Sequence, residues 1–216
     1  MNTLRRRFLA TGTVAAAALA LPALASSRRI LAPMTDGPFY PARAWRERWP
    51  DWDADLTRVE RDGKVLEARG EHLGLEAVVA DTKGRLIDGA EVEIWQCDAM
   101  AVYRHPRQPD EPGRIDEGFQ GFGAVRSDRQ GALRFRTIKP VPYPGRTPHI
   151  HVKLRHASFG ELTSQLFIAG DAGNARDFLW RQVEPPDRAA LEMTLQPAPA
   201  YSGLRWRVQH TLVVPG

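Results

Sequence analysis

Cysteine is almost absent from this chain. Cys97 is the only one, so no disulfide can form within the chain and stability must come from packing or from a bound metal. A single thiol inside the apolar run Ile94-Trp95-Gln96-Cys97 reads as a small buried hydrophobe, and one sulfur cannot complete a closed zinc site. Charge of one sign is scarce too. The formal net charge is +4, and Arg5, Arg6 and Arg7 carry three of those charges, which leaves +1 for the rest. That balance offers no electrostatic footprint for nucleic acid or an anionic membrane surface. The alanine-rich apolar run Val14 to Leu21 is too short to span a bilayer comfortably. Internal repeats and low-complexity tracts are missing as well.

What is present at the start is an address. Arg5-Arg6-Arg7-Phe8-Leu9 precedes the apolar run, and Ala23-Leu24-Ala25 supplies small residues where a signal peptidase needs them, in the order of a secretory leader. The leading arginines resemble a twin-arginine signal, which exports proteins already folded. The expectation is a signal peptide over residues 1–25 and a mature chain that begins near Ser26, carries no membrane anchor and resides in a periplasm or outside the cell.

The remaining length, within 216 residues of which 43% are hydrophobic, suits one sizeable core and one domain with accessories. Residues 26–73, rich in Pro, Trp, Arg and Asp without sustained period, read as an arm wrapped over that core. From Gly74 onward, short apolar runs alternate with turn signals: Leu75 to Ala80, Ala90 to Gln96, Ala124 to Arg126, Leu133 to Ile138, Ile150 to Leu154, Gln165 to Ile168 and Leu204 to Val213. Ser127-Asp128-Arg129-Gln130-Gly131 reads as the turn of a hairpin. The pattern predicts an all-β fold over residues 74–216, an antiparallel β-sandwich, with short helices only around Ala175 to Trp180 and after Pro186. Tyr40 and Tyr201 read as packing residues that keep a hydroxyl near a polar partner.

The most informative stretch is Pro142-Tyr143-Pro144-Gly145-Arg146-Thr147-Pro148-His149-Ile150-His151-Val152. On a strand, His149 and His151 point to one face about 7 Å apart, a spacing that suits two ligands of one metal ion. A surface strand with two solvated histidines is the plain alternative. The prolines at 142, 144 and 148 weigh against it, since they stiffen a loop that returns Tyr143 toward the same place. Ferrous sites with two histidines add a carboxylate, but no acid follows His151 until Glu161. That leaves tyrosine as the anionic ligand. A phenol with an ordinary pKa of about 10 stays ionised at neutral pH only on a strongly Lewis-acidic ion such as ferric iron.

The blocks Gly89 to Asp98, Tyr103-Arg104-His105, Gly121-Phe122-Gly123, Arg136-Thr137-Ile138-Lys139-Pro140 and Tyr143 to His151 together closely resemble the intradiol ring-cleavage dioxygenases, nearest to the catalytic subunits of the protocatechuate 3,4-dioxygenases. The likeness runs from about Gly37 to Gly170. It implies an Fe(III) cofactor held by Tyr103, Tyr143, His149 and His151, a small-molecule catechol substrate, and dioxygen as co-substrate. It implies cleavage between the two hydroxylated carbons to a muconate-type dicarboxylate. Tyr143 would leave the metal when substrate arrives and accept a substrate proton, Arg146 would stabilise developing negative charge, with a structural salt bridge on its loop as the plain alternative, and Gln165 would orient the substrate or peroxide. Two departures stand out. Ala101-Val102 replaces the family's usual glycine-containing pair before the first tyrosine, and no helical dimerisation domain precedes the sandwich, so whether the chain forms a homo-oligomer is left open. The stretch Gly84 to Ala90 is also common in transthyretin-like sandwich modules that bind without catalysis, the competing reading of the same fold.

Overall fold

The structure is a computed structural model that describes residues 28–47, 49, 51–107 and 114–216. The leader read at 1–25 lies outside the described residues, which contain no helix long and apolar enough to cross a membrane.

Two β-sheets face each other across one core. The first has four strands in the order β10 (Gln196–Pro197), β11 (Trp206–Val214), β3 (His72–Asp81), β6 (Ala132–Ile138). The second has five, in the order β5 (Phe122–Arg126), β4 (Glu91–Trp95), β7 (His149–His156), β8 (Gly160–Ile168), β9 (Glu192–Met193). Each strand turns alternate residues inward. Leu73, Leu75, Phe135 and Val208 from the first sheet meet Val92, Ile94, Ile150, Val152, Leu154 and Leu166 from the second, all buried. The expected sandwich is therefore present. Most strand pairs are antiparallel, but β11 runs parallel to β3 and β9 parallel to β8.

Three local expectations need correction. Ser127 to Gly131 does not close a hairpin, because β5 and β6 lie in different sheets. The turn is a corner between the two sheets. The Ser127 amide donates to the Ala90 carbonyl, its hydroxyl donates to the Ile87 carbonyl, and Asp128 Oδ1 accepts from the Gln130 and Ala132 amides. The arm is not irregular throughout: it holds a hairpin of β1 (Arg58–Arg61) and β2 (Lys64–Glu67) and one helical turn, α1 (Arg43–Arg46). Tyr201 does not pack, being 92% exposed.

The outer face of the five-stranded sheet is polar and is covered by the arm. Its residues Glu93, Lys153 and Thr163 are gripped from above. Lys153 Nζ donates to Asp36 Oδ2 at 2.7 Å, and Thr163 Oγ1 donates to Asp36 Oδ1 at 2.7 Å. Buried Glu93 accepts from the Tyr40 hydroxyl at 2.7 Å, and Arg46 and Arg155 pair with it as well. A carboxylate taken out of water would be costly alone, and two guanidinium groups and a phenol compensate it. This clamp holds the segment from Asp36 to Arg46 over the end of the sheet where the histidines emerge.

Candidate metal centre

Strand β7 begins at His149, so His149 and His151 share its outer face, as their spacing requires. Both are buried, at 2% and 4% exposure, which rules out a pair of solvated surface histidines. Register places His151 between Trp95 on β4 and Gln165 on β8, a single row across three strands. The Trp95 ring stacks on the His151 ring with centroids 4.7 Å apart and fixes its plane from below.

The two tyrosines arrive from loops. Tyr103 follows a tight turn held by Asp98, whose Oδ1 accepts from the Met100 and Val102 amides. In that turn Ala101 has φ of +63°, the left-handed region that glycine occupies without strain. A glycine, which the family resemblance implies for the pair that Ala101-Val102 replaces, would hold that conformation without strain. Tyr143 sits in the proline-stiffened loop, where its amide and carbonyl pair with Arg146. The rings converge: Tyr103 lies 5.9 Å from Tyr143 and 6.2 Å from His151, Tyr143 lies 5.5 Å from His149, and the two imidazoles are 4.9 Å apart between centroids. All four residues expected as ligands are thus brought together.

The donor atoms fit a metal ion. His149 Nδ1 donates to the Thr147 carbonyl at 2.7 Å, which leaves Nε2 with its lone pair 3.4 Å from the Tyr103 hydroxyl. His151 Nδ1 is buried without a hydrogen-bond partner among the described residues. Burial, and then the Arg146 charge, hold the His149 pKa down at about 4. Burial, then His149 and Arg146, push His151 well below its ordinary range. Both imidazoles are therefore neutral at neutral pH, the form in which a histidine can bind a metal ion. Burial raises both phenols, Tyr103 more strongly with Tyr143 adding to it, while Arg146 partly offsets the rise for Tyr143. Phenols that resist ionisation this much become anionic ligands only beside a strongly polarising cation. Among the described residues, no group of three or more His, Cys, Asp and Glu side chains is placed to hold a metal, and the side chains that close on the histidine pair are the two phenols.

Beside the donors lies a cleft of about 850 Å³, lined by Tyr143, Arg146, Pro148, Lys139 and Arg176 among others. Tyr143 borders it, whereas Tyr103 lies deeper, 3% exposed. Arg146 Nη2 donates to Gln165 Oε1 at 2.5 Å and its Nε donates to Asp177 Oδ2 at 2.8 Å, so the two residues expected to act on substrate are joined. Among the described residues Gln165 Nε2 has no hydrogen-bond partner, a donor left for a ligand.

Trp95 and Asp177 were not singled out from the sequence, whereas Gly37 and Phe39 fall in the Gly37-Pro38-Phe39 block that the family resemblance places at the border of the pocket. Phe39 of the arm stacks on Tyr103 with centroids 4.7 Å apart, and a Cβ on Gly37 would sit 3.5 Å from His151 Cε1. Trp95 and Asp177 complete the surround. Gly37, Phe39 and Trp95 lie in segments of the family likeness, and register arithmetic between two apolar strands could have paired Trp95 with His151. Asp177 had a local signal only: an aspartate directly before Phe178-Leu179-Trp180 is a helix N-cap.

A protein-family model described as Dioxygenase matches residues 36–206. The beta chain of protocatechuate 3,4-dioxygenase from Burkholderia cepacia is 36% identical over 129 residues, 55% of this chain and 53% of that protein. Hydroxyquinol 1,2-dioxygenase from Corynebacterium glutamicum is 28% identical over 54% of this chain and 43% of its own. The matched region thus spans about half the length of these relatives. Among solved structures, the dioxygenase domain of a dioxygenase and carbohydrate-binding fusion from Streptomyces sp. SirexAA-E superposes with a TM-score of 0.61 at 24% identity, covering 86% of this chain and 98% of that one. The 3-chlorocatechol 1,2-dioxygenase of Rhodococcus opacus 1CP does so at 0.61 with 21% identity, over 88% and 75%. These two likenesses concern the fold.

Proposed function

Because the chain belongs to the intradiol ring-cleavage dioxygenase family, we propose that it opens a catechol-type ring between its two hydroxylated carbons, using dioxygen and a ferric ion held by Tyr103, Tyr143, His149 and His151. The observation that carries this reading is the convergence of two neutral imidazoles and two phenols at one end of the sandwich, with no carboxylate among them. Ferric iron, when bound, supplies the Lewis acidity that keeps phenolates ionised and prepares a catecholate for dioxygen. A binding module has no need of such a set.

The protein side of the reaction follows from position. Tyr143 borders the cleft, so its oxygen is the one that meets an incoming diol and takes a proton from a substrate hydroxyl. Tyr103 is sealed behind Phe39 and stays in place. The guanidinium of Arg146 faces the same space and stabilises negative charge as it develops on the substrate, and the Gln165 amide N–H orients a substrate oxygen. Lys139 and Arg176 at the cleft wall make acidic catechols a necessary part of any substrate panel.

The test is oxygen uptake by the purified protein against substituted catechols, with the product of labelled dioxygen identified by mass spectrometry. A dicarboxylate carrying both labelled atoms is expected. A semialdehyde, or an unlabelled product, would overturn the proposal. Arg146→Ala should retain iron and lower kcat/KM by an amount equivalent to roughly 2 to 4 kcal/mol, as expected for a group that acts on the transition state.

A further inference from the structure

The loop that carries Arg146, Thr147 and the first histidine is gripped by a segment whose polar residues recur at every third position: Asp171, Asn174 and Asp177. A 3-10 turn at Asn174–Arg176 suits this spacing, since residues three apart eclipse on such a turn. All three reach the same place. Thr147 Oγ1 lies 3.2 Å from Asp171 Oδ1 and 3.0 Å from Asn174 Oδ1, and the Thr147 amide donates to Asp177 Oδ2 at 3.0 Å. Gly173 allows the approach, because a Cβ there would stand 2.7 Å from Thr147 Oγ1.

Asp177 is the end point of this grip. Its Oδ2 accepts from both Arg146 Nε and the Thr147 amide, while Oδ1 accepts from the Leu179 and Trp180 amides at the start of α2 (Phe178–Gln182). The side chain is fully buried, and four donors satisfy both oxygens. Two lines run from it into the site. One passes along the guanidinium, pinned by Asp177 at Nε and by Gln165 at Nη2. The other crosses the backbone of Thr147, whose N–H binds Asp177 and whose carbonyl accepts from His149 Nδ1.

We infer that Asp177 is a positioning residue for this site: one buried carboxylate aims Arg146 at Gln165 and, through the backbone of Thr147, orients His149 with Nε2 toward Tyr103. The kinetic part of the inference rests on the proposed dioxygenase reaction. The alternative is that Asp177 only caps α2, and the two roles separate by substitution, because asparagine caps a helix about as well as aspartate but cannot accept from both Arg146 and Thr147 as a charged oxygen does.

The experiment compares Asp177→Asn with wild type, in the native background and in Arg146→Ala. Asp177→Asn should lower kcat by about tenfold or more with KM little changed, and should speed iron loss to a chelator by about tenfold, the usual scale for a group that orients a metal ligand. In the Arg146→Ala background the kcat loss should disappear, while the faster iron loss should persist. A folded Asp177→Asn whose kcat and iron loss stay within about twofold of wild type would overturn the inference, as would an equal kcat loss in both backgrounds. Should Asp177→Asn not fold, Gly173→Ala leaves every site residue in place yet presses on Thr147, and unchanged kcat there would overturn it equally. Hydrogen exchange of the Arg146 Nε–H in the full chain is independent of turnover. Slow exchange is expected, and exchange at the rate of a solvated arginine would count against Asp177 even in an active protein. Slow exchange in a protein that consumes no oxygen with any catechol would sink the dioxygenase proposal alone.

Discussion

Tyr103 and Tyr143 carry the same hydroxyl in different surroundings, and the difference assigns each a task. Tyr103 is buried under Phe39 and hydrogen-bonded toward His149, whereas Tyr143 borders the cleft beside Arg146. Two phenolates on ferric iron absorb visible light by charge transfer, so the purified protein should be coloured wine-red to brown. Tyr103→Phe and Tyr143→Phe should each change that band, and His149→Ala or His151→Ala should abolish iron retention. Absorption spectra with metal analysis decide the matter: stoichiometric zinc, or a native spectrum in both tyrosine variants, would refute the ligand set. Ala101 offers a test of the turn that delivers Tyr103. An alanine at φ of +63° is strained, so Ala101→Gly should leave the stability unchanged or raise it by up to about 1 kcal/mol, although glycine elsewhere usually destabilises. A clear loss of stability in urea titration would mean that the turn is not strained as described.

At the scale of elements, the strand that carries the histidines was legible because its signal is local. Alternation along His149 to Leu154 puts two imidazoles on one face, and the prolines at 142, 144 and 148 mark the loop that returns Tyr143. The link from Asp177 to the site and the clamp around Glu93 were not legible in the same way, since the partners concerned lie 30 or more positions away and are chosen by register and by the path of the arm. The corner at Ser127 to Gly131 shows the same limit: its turn chemistry is that of a hairpin, and only pairing with different neighbours, β5 with β4 and β6 with β3, makes it a crossing between sheets. The arm's fit to β5 depends on one glycine. A Cβ on Gly123 would stand 2.1 Å from the Asp53 carbonyl oxygen and 2.7 Å from Leu56 Cδ1, and the carbonyl is backbone that cannot swing aside. Gly123→Ala should therefore destabilise the protein by about 1 to 3 kcal/mol, the range for overpacking, read as a lower urea midpoint at unchanged slope. A midpoint equal to wild type would show that the arm does not rest on β5 as described.

For the whole molecule, the question is how much of the chain the folded site needs. The first described contacts of the arm are those of Arg28, near Gly84, and of Leu31, fully buried with its amide donating to the Val213 carbonyl. Met34 follows with its amide on the Thr163 carbonyl, and Asp36 then locks onto Lys153. A cut between Ala25 and Ser26 falls ahead of all of these contacts in the chain. We propose that the chain is exported folded and cut there, because the site closes only when the arm, β4, β7 and two loops are assembled, and the twin-arginine route carries assembled proteins. In an exporting host, N-terminal sequencing of the protein found outside the cytoplasm should begin near Ser26, and changing Arg5, Arg6 and Arg7 to lysine should leave the protein in the cytoplasm with Met1 or Asn2 at its start. A chain that begins at Ser26, expressed directly, should melt at the same temperature as the processed protein and bind iron equally well. Recovery of the exported form with Met1 intact would refute the proposal, and a Ser26 chain that folds but fails to hold iron would show that the leader takes part in building the site.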